Sequence, residues 1–444
     1  MPTIKLSDHF TFKKLFRFVL PSIIMMIVTS VYGVIDGLFV SNFAGKTPFA
    51  AINLIMPFLM ILGGMGFMIG TGGAALVSKT VGEGDREKAN RYFTVIIIFT
   101  VILGIVLTIV GFAVMRPVVK LLGANEDMFD YSVLYGCIVV VFTTFFMLQN
   151  IFQSFLVAAE KPNLGLTVTI IAGCTNAALD ALFIAVFRWG IIGAAVATGI
   201  GQMTGGIIPL IYFARKNSSL LKFVKTGMEI KPILRSCING SSELLTNVAS
   251  SIASVLYNLQ LMKFYGENGV AAYGVLMYVQ LVFLAIEIGY TIGVAPIVGY
   301  NYGAENHVEM KNIFKKSMIA MSLSGLILSG LAQAFAIPIA NLFVGYDTEL
   351  FGLTVSAFRI FSFSFIFSGI AIYSSGFFTA LNNGLVSAVL SFLRALVFQI
   401  AFVFLLPIIF DKTGIWWAAF ATETSAFIVA VVFFFAYRKK YRYA

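Results

Sequence analysis

Charge is scarce in this chain. Only 11% of its 444 residues are Asp, Glu, Lys or Arg, while 59% are hydrophobic. Soluble domains carry roughly 25% charged residues, and a soluble fold of this length has too little polar surface to cover so much apolar side chain. Lipid is therefore the expected solvent for most of the sequence. Histidine and cysteine are scarcer still, at two and three residues. His9 and His307 lie in polar segments, and Cys137, Cys174 and Cys237 fall in or beside apolar runs without metal-ligand spacing. Zinc and haem centres are not expected, and the cysteines read as small core residues. The one glycine-rich polar run, Gly82-Glu83-Gly84-Asp85, has no strand before it and no Gly-Lys-Ser/Thr after it. A nucleotide loop needs both, so any work done by the protein must draw on an ion gradient. No paired His/Asp or nucleophile constellation points to an enzyme, and no cofactor is expected.

What fills the sequence instead is a succession of apolar runs of about twenty residues, the length a helix needs to cross a bilayer. The spans begin near Leu15, Phe49, Phe93, Tyr131, Leu164, Gly190, Cys237, Ala271, Ile313, Phe351, Leu385 and Ile415. Forty Gly and eleven Pro do not oppose this, since neighbouring helices satisfy the backbone groups they free. The fold class is an all-α polytopic membrane protein of twelve transmembrane helices. Its first apolar run leads straight into further spans without a small-residue cleavage site, as an uncleaved helix does.

Of the 30 Lys and Arg residues, 22 lie before the first span, around Lys79 to Arg91, at Lys161, between Arg215 and Arg235, at Lys311 to Lys316, and at Arg438 to Arg442. Six lie in the alternate loops, and Arg359 and Arg394 lie in spans. Positive charge collects on the cytoplasmic side, so both termini are expected inside, in a bacterial inner membrane. The net charge of +10 then sits beside anionic headgroups, and nucleic acid is not an expected partner. The expected partners are the bilayer and a small-molecule substrate, with the chain a monomer.

The two halves resemble each other. Gly-Ile-Ile-Gly-Ala-Ala-Val-Ala-Thr at 190–198 matches Gly-Ile-Trp-Trp-Ala-Ala-Phe-Ala-Thr at 414–422, six identities in nine at an offset of 224. At an offset of 221, Gly72 falls on Gly293, Val77 on Val298, Gly82 on Gly303 and Phe93 on Phe314. Six spans per half is an even number, so the repeats share one orientation, about an axis along the membrane normal. Transporters use such a duplication to place a cavity between two rocking lobes. The expected division is 1–213 for the first lobe, 214–235 for a basic cytoplasmic linker and 236–444 for the second lobe.

Five carboxylates fall within spans: Asp36, Asp180, Glu243, Glu287 and Glu423. A charge at the bilayer centre costs roughly 2.5 to 3.5 kcal/mol on the lenient insertion scale, so such residues face a cavity or a partner. Desolvation favours the protonated form of a carboxyl, which lets a buried acid exchange a proton as solvent access changes. Asn176 and Asp180, four residues apart, share one helix face, and with Asp36 they offer the several oxygens that a sodium ion would want. The alternative for each is a polar residue hydrogen-bonded between helices. Glu287, two turns after Gln280, is placed either to attract a cationic substrate or to pair with Arg359 or Arg394. Glu243 is near enough to the span's edge to snorkel, and Glu423, between Thr422 and Thr424, reads as structural.

Several short pieces, in order, resemble one family over nearly the whole chain. They are Leu20-Pro21, Val34-Ile35-Asp36-Gly37, Gly82-Glu83-Gly84-Asp85 followed by Lys88, the Asn-x-x-Leu-Asp of Asn176 to Asp180, and Ala295-Pro296-Ile297-Val298-Gly299-Tyr300-Asn301-Tyr302-Gly303-Ala304. The set resembles the MATE (multidrug and toxic compound extrusion) family. That resemblance implies a V-shaped antiporter expelling organic, often cationic, compounds in exchange for protons or sodium ions. It implies that Asp36, Asn176 and Asp180 form the cation site. The second-lobe acids of the NorM-like branch fall near Ser250 and Ser368 here, so the chain leans to the DinF-like pattern, and no family role transfers to Glu243. Asp36 falls on Tyr257 in the repeat, beside Asn258, which makes the halves chemically unequal.

The 45 Phe, 17 Tyr and 3 Trp are mostly packing or lipid-facing residues. Trp189, Trp416 and Trp417 at outer span ends are expected as interface anchors. Gln149, Asn150, Tyr273, Tyr278 and Gln280, with Glu287, are the candidates for lining a substrate cavity, against core packing for each. Pro21, Pro57, Pro209, Pro296, Pro338 and Pro407 either kink or end spans. The rival function is a flippase for lipid-linked or polysaccharide substrates of the same superfamily. It would want a large cationic cavity, where this chain offers Arg359 and Arg394.

Overall fold

The computed structural model describes residues 4–444 and contains only helices and their connections. In chain order these are α1 Phe12–Phe43, α2 Lys46–Gly82, α3 Arg86–Leu121 and α4, the bent pair Glu126–Val141 and Thr143–Ala158. Next come α5 Pro162–Val186 and α6 Gly190–Ala214. The stretch Ile230–Gly303 is two helices, α7 (230–265) and α8 (267–303), turned about at Gly266, whose φ of 61° suits glycine alone. The chain ends with α9 His307–Val344, α10 Thr348–Ala380, α11 Gly384–Ile409 and α12 Asp411–Tyr441. Counting the turn at Gly266 and taking α4 as one broken span, the described residues make twelve crossings.

Helices start up to seven residues before the apolar runs do. Arg86 to Arg91 and His307 to Asn312 are polar yet helical. Each stretch is launched by a side-chain cap, Asp85 accepting from Lys88 N and Asn306 accepting from Glu309 N, which satisfies an otherwise orphaned amide. Gly82-Glu83-Gly84-Asp85 is thus a helix-to-helix turn, with Gly84 at φ 88°. Pro21, Pro57, Pro209, Pro296, Pro338 and Pro407 all lie inside helices. One span breaks without a proline. α4 bends by 58° at Phe142, whose ring lies so close to Gly199 that a Cβ there would collide with it.

Lipid-facing surface is plain on α3, where Ile98, Ile102, Ile105 and Ile109 are exposed at helical spacing. Between helices, small residues set the distance. On α6, Gly201 meets Asn176 Cβ and Gly205 meets Gln149 Cγ, with a Cβ on either glycine 2.9 and 2.8 Å away respectively. The linker after α6 packs on α3, Lys222 N donating to Asn90 Oδ1 at 2.9 Å and Phe223 stacking on Phe93 at 5.1 Å.

The two halves touch in a symmetric way. Gly82 lies against Tyr300 O, and its repeat mate Gly303 lies against Lys79 O, too close for any Cβ. Lys79 and Tyr300 are themselves related by the offset of 221. Likewise Gly72 packs on Ser236 and Gly240 of α7, while Gly293 packs on Val19 of α1, the mate of Gly240. All these contacts lie toward the end that carries both chain termini, where Asn301 Nδ2 donates to Leu6 O and Tyr302 packs on Tyr441. At the opposite end Val31 and Leu38 of α1, and their mates Ile252 and Leu259 of α7, are exposed. The bundle is a V that is closed at the terminal end.

A strap before α1 crosses that closed end. Leu6 and Phe10 are fully buried, and Leu6 N donates to Glu160 Oε1 in the α4–α5 turn at 2.7 Å. Phe10 N donates to Glu309 Oε1 at 2.9 Å, His9 Nδ1 contacts Glu309 Oε2 at 2.7 Å, and Asn312 and Lys316 donate to Phe10 O.

Two expectations fail here. Trp416 is not an interface anchor but a core residue, 2% exposed and packed by Tyr265 at 5.6 Å, because its helix turns it under α7; Trp189 is exposed. The cysteines are not core residues either: Cys174 is exposed, and Cys137 and Cys237 are half-buried. Apolar character alone did not separate a lipid-facing position from a core one.

Candidate functional site

Asp36 lies on α1, three residues before Phe39 and the π-turn Val40–Ala44. Asn176 and Asp180 lie on α5, where Asp180 ends the regular helix and a π-turn Ala181–Val186 follows. Such turns are frequent at functional sites. The structure brings the three together. Asp36 is 8% exposed, Asn176 4% and Asp180 0%, and both α5 side chains are near enough to interact with the Asp36 carboxyl. Neither forms a hydrogen bond by distance and angle: both Asp180 oxygens and both Asn176 amide atoms are buried without a partner. No Lys or Arg pairs with either acid among the described residues. Two buried carboxyls, an amide and no cation leave a strong demand for a proton or a metal ion, since unpaired buried charge is costly.

Sequence reasoning missed the rest of this cluster. Thr198 of α6 donates to Asp36 Oδ1 at 3.4 Å. Tyr32 stands one turn before Asp36 and neighbours Gln149, and Tyr135 is buried against Thr198. Thr198 closes the repeated Gly-Ile-x-x-Ala-Ala-x-Ala-Thr motif, a signal used above only to establish the duplication.

In the second half one acid is compensated by a cation. Glu423 binds Arg394 through both oxygens, with Nε contacts of 2.9 and 3.1 Å and an Nη2 contact of 2.9 Å. Arg394 sits in a third π-turn, Leu393–Phe398. Glu287 pairs with neither arginine. It is fully buried and accepts from Ser368 Oγ at 2.8 Å, its other oxygen unpartnered. Arg359 is exposed.

A cavity of about 320 Å³ opens within α7, α8, α10, α11 and α12, with Phe67 and Thr71 of α2 on its wall. Tyr273 and Gln280 line it, as do Glu243, Arg394 and Glu423. The other candidates do not. Tyr278 is 46% exposed and stacks on Phe343 at 5.9 Å, because it is five residues from Tyr273 and points off the other side of α8. Asn150 is held by Gly63 O at 3.0 Å, Gln149 belongs with Tyr32 in the first half, and Glu287 turns to Ser368. Glu243 does not snorkel to the edge; it faces inward.

A duplicated helical bundle with buried, cation-hungry acids in one half and a chambered cavity in the other is the framework of a membrane transporter. The MatE family model matches this chain twice, over residues 21–182 and again over 244–405. The chain belongs to the MatE family of multi-pass membrane transporters and is not an enzyme. It is 24% identical over 430 residues to the multidrug export protein MepA of Staphylococcus haemolyticus, covering 97% of this chain and 94% of that one. It is 23% identical over 432 residues to MepA of Staphylococcus aureus strain MRSA252, with the same coverage. Its fold matches the outward-facing structure of a multidrug resistance MATE family transporter of the MOP superfamily with a TM-score of 0.93, at 21% identity over 100% of both chains. A MOP superfamily transporter from Pyrococcus furiosus matches with a TM-score of 0.89 at 21% identity, over 100% of this chain and 99% of that one.

Proposed function

We propose that this protein expels small amphipathic organic cations across a bacterial inner membrane in exchange for H⁺ or Na⁺, with Asp36, Asn176 and Asp180 as the coupling site. The observation that carries the reading is the cluster itself, two buried acids with an amide and no cationic partner. The relatives named for multidrug export cover nearly all of this chain, which supports the substrate class. Residues 1–213 and 236–444 act as two lobes joined by the linker 214–235, and the reciprocal glycine contacts are their closed gate. With the basic loops and both termini in the cytoplasm, the V stands open to the outside. The chain works as a monomer.

The DinF-like branch suits it better than the NorM-like one, because Ser250 and Ser368 stand where the latter has acids. A flippase reading is weakened by the cavity's charge: Arg394 is neutralised by Glu423, so no cationic chamber is left for a phosphate-linked substrate.

The test is ethidium accumulation in inverted vesicles with an imposed proton or sodium gradient, comparing wild type, Asp36→Asn and Asp180→Asn. Gradient-driven uptake that disappears in both variants supports the assignment. Uptake unchanged in both would sink the coupling site. Movement of a lipid-linked sugar without ethidium transport would replace the reading with the flippase.

A further inference from the structure

Three charged side chains line the second-half cavity, and they are not equivalent. Arg394 and Glu423 neutralise each other through a two-oxygen contact. Glu243 has no ion pair or hydrogen bond among the described residues, yet it sits where α7 meets α2 and lines both this cavity and a smaller one of about 30 Å³ beside it. The chamber therefore holds one carboxyl group with no cationic partner among the described residues. The carbonyl oxygen of Gln280 is buried on the same wall without a partner, and Phe67, Tyr273 and Phe361 supply aromatic faces. A carboxylate, a free amide oxygen and flat π faces have one complementary guest, an organic monocation, held by charge at one end and by its rings along the other. None of Asp36, Asn176 and Asp180 lines this cavity.

Resting on the antiporter reading above, we propose that Glu243 is the counter-ion for the positive end of the exported compound, in a chamber of the second half separate from the acid cluster of the first. Substrate and coupling ion then occupy different sites and compete through the shape of the V, not for one carboxylate. The position of Glu243 on the α2 contact also gives the guest a means of reporting to the gate, through Thr71 and Gly72 on the same stretch of α2.

Equilibrium binding of tetraphenylphosphonium to the full chain in nanodiscs tests this, in wild type, Glu243→Gln and Thr246→Lys. The second variant places a cation one turn from Glu243 on the same cavity wall, so it cancels the charge without removing the carboxylate. Truncating one member of a buried charge pair costs at least about tenfold in affinity, and both variants are expected to weaken binding by that much. Tetraphenylphosphonium bound within about twofold of wild type by folded Glu243→Gln overturns the assignment, even where Asp36→Asn abolishes gradient-driven transport. Should Glu243→Gln not fold, unchanged binding by Thr246→Lys overturns it instead. A wild-type protein that binds no organic cation contradicts the function proposed above as well as this site.

Discussion

The same duplicated sequence gives the two halves the same joints and different chemistry. Gly82 and Gly303 lie against each other's repeat-related backbone carbonyls, as a two-fold contact requires. The acid sites diverge. In the first half Thr198 donates to Asp36. Its mate in the second half, Thr422, has a buried hydroxyl with no partner, because Tyr257 stands where Asp36 does in the repeat. Tyr257 instead spends its hydroxyl on Ile415 O, at 2.5 Å, and stacks on Tyr273 at 4.4 Å. The lesson is that duplication preserves contacts needing only small volume, whereas a buried charge survives only where something is gained by leaving it unpaired. Among the described residues, the first half keeps both of its acids without a cation, and the second pairs one of its three, Glu423, with Arg394.

The largest effect expected from breaking this contrast is on transport. Asp36→Asn and Asp180→Asn each lower ethidium uptake by at least about tenfold, and the double variant is no worse than the poorer single one, because groups acting as a unit are non-additive. Additive losses in the double variant would show two independent sites. Next comes the compensated pair. Glu423→Gln leaves Arg394 buried and alone, which costs about 3–5 kcal/mol of stability, readable as a lowered unfolding midpoint. A loss under about 1 kcal/mol would mean that water already relieves the pair. The symmetric joint ranks third. Gly82→Val and Gly303→Val each cost about 1–3 kcal/mol through overpacking, and by equal amounts if the contact is two-fold; a clear inequality breaks the symmetry. Smallest is Tyr257→Phe, which removes one hydrogen bond for about 1 kcal/mol and leaves uptake intact. Lost uptake would give the second half a coupling role.

Much of this was readable from residues alone. The twelve crossings follow from apolar runs, and the repeat offset of 221 relates Gly72 to Gly293 and Gly82 to Gly303, which the structure sets at equivalent helix contacts. Asn176 and Asp180, four apart, are on one face as spacing requires. What spacing could not give is the partner across helices. Arg394 chose Glu423 over Glu287, and Glu287 chose Ser368, a matter of helix rotation decided by packing throughout the half. Tyr273 and Tyr278 are equally aromatic, yet one faces the cavity and the other Phe343. Trp416 was hidden for the same reason. The bend at Phe142 left no mark in the sequence: no proline or glycine stands at 141–143, and the Phe142 ring lies against a glycine of another helix.

The central claim is that coupling-ion chemistry resides in the first half. Isothermal titration of sodium into the purified protein, paired with proton release measured on titrating in tetraphenylphosphonium, tests it most directly in Asp36→Asn, Asp180→Asn and Glu287→Gln. The account predicts that whichever ion signal wild type shows is lost in both aspartate variants and kept in Glu287→Gln. Loss in Glu287→Gln with retention in the aspartate variants would contradict it.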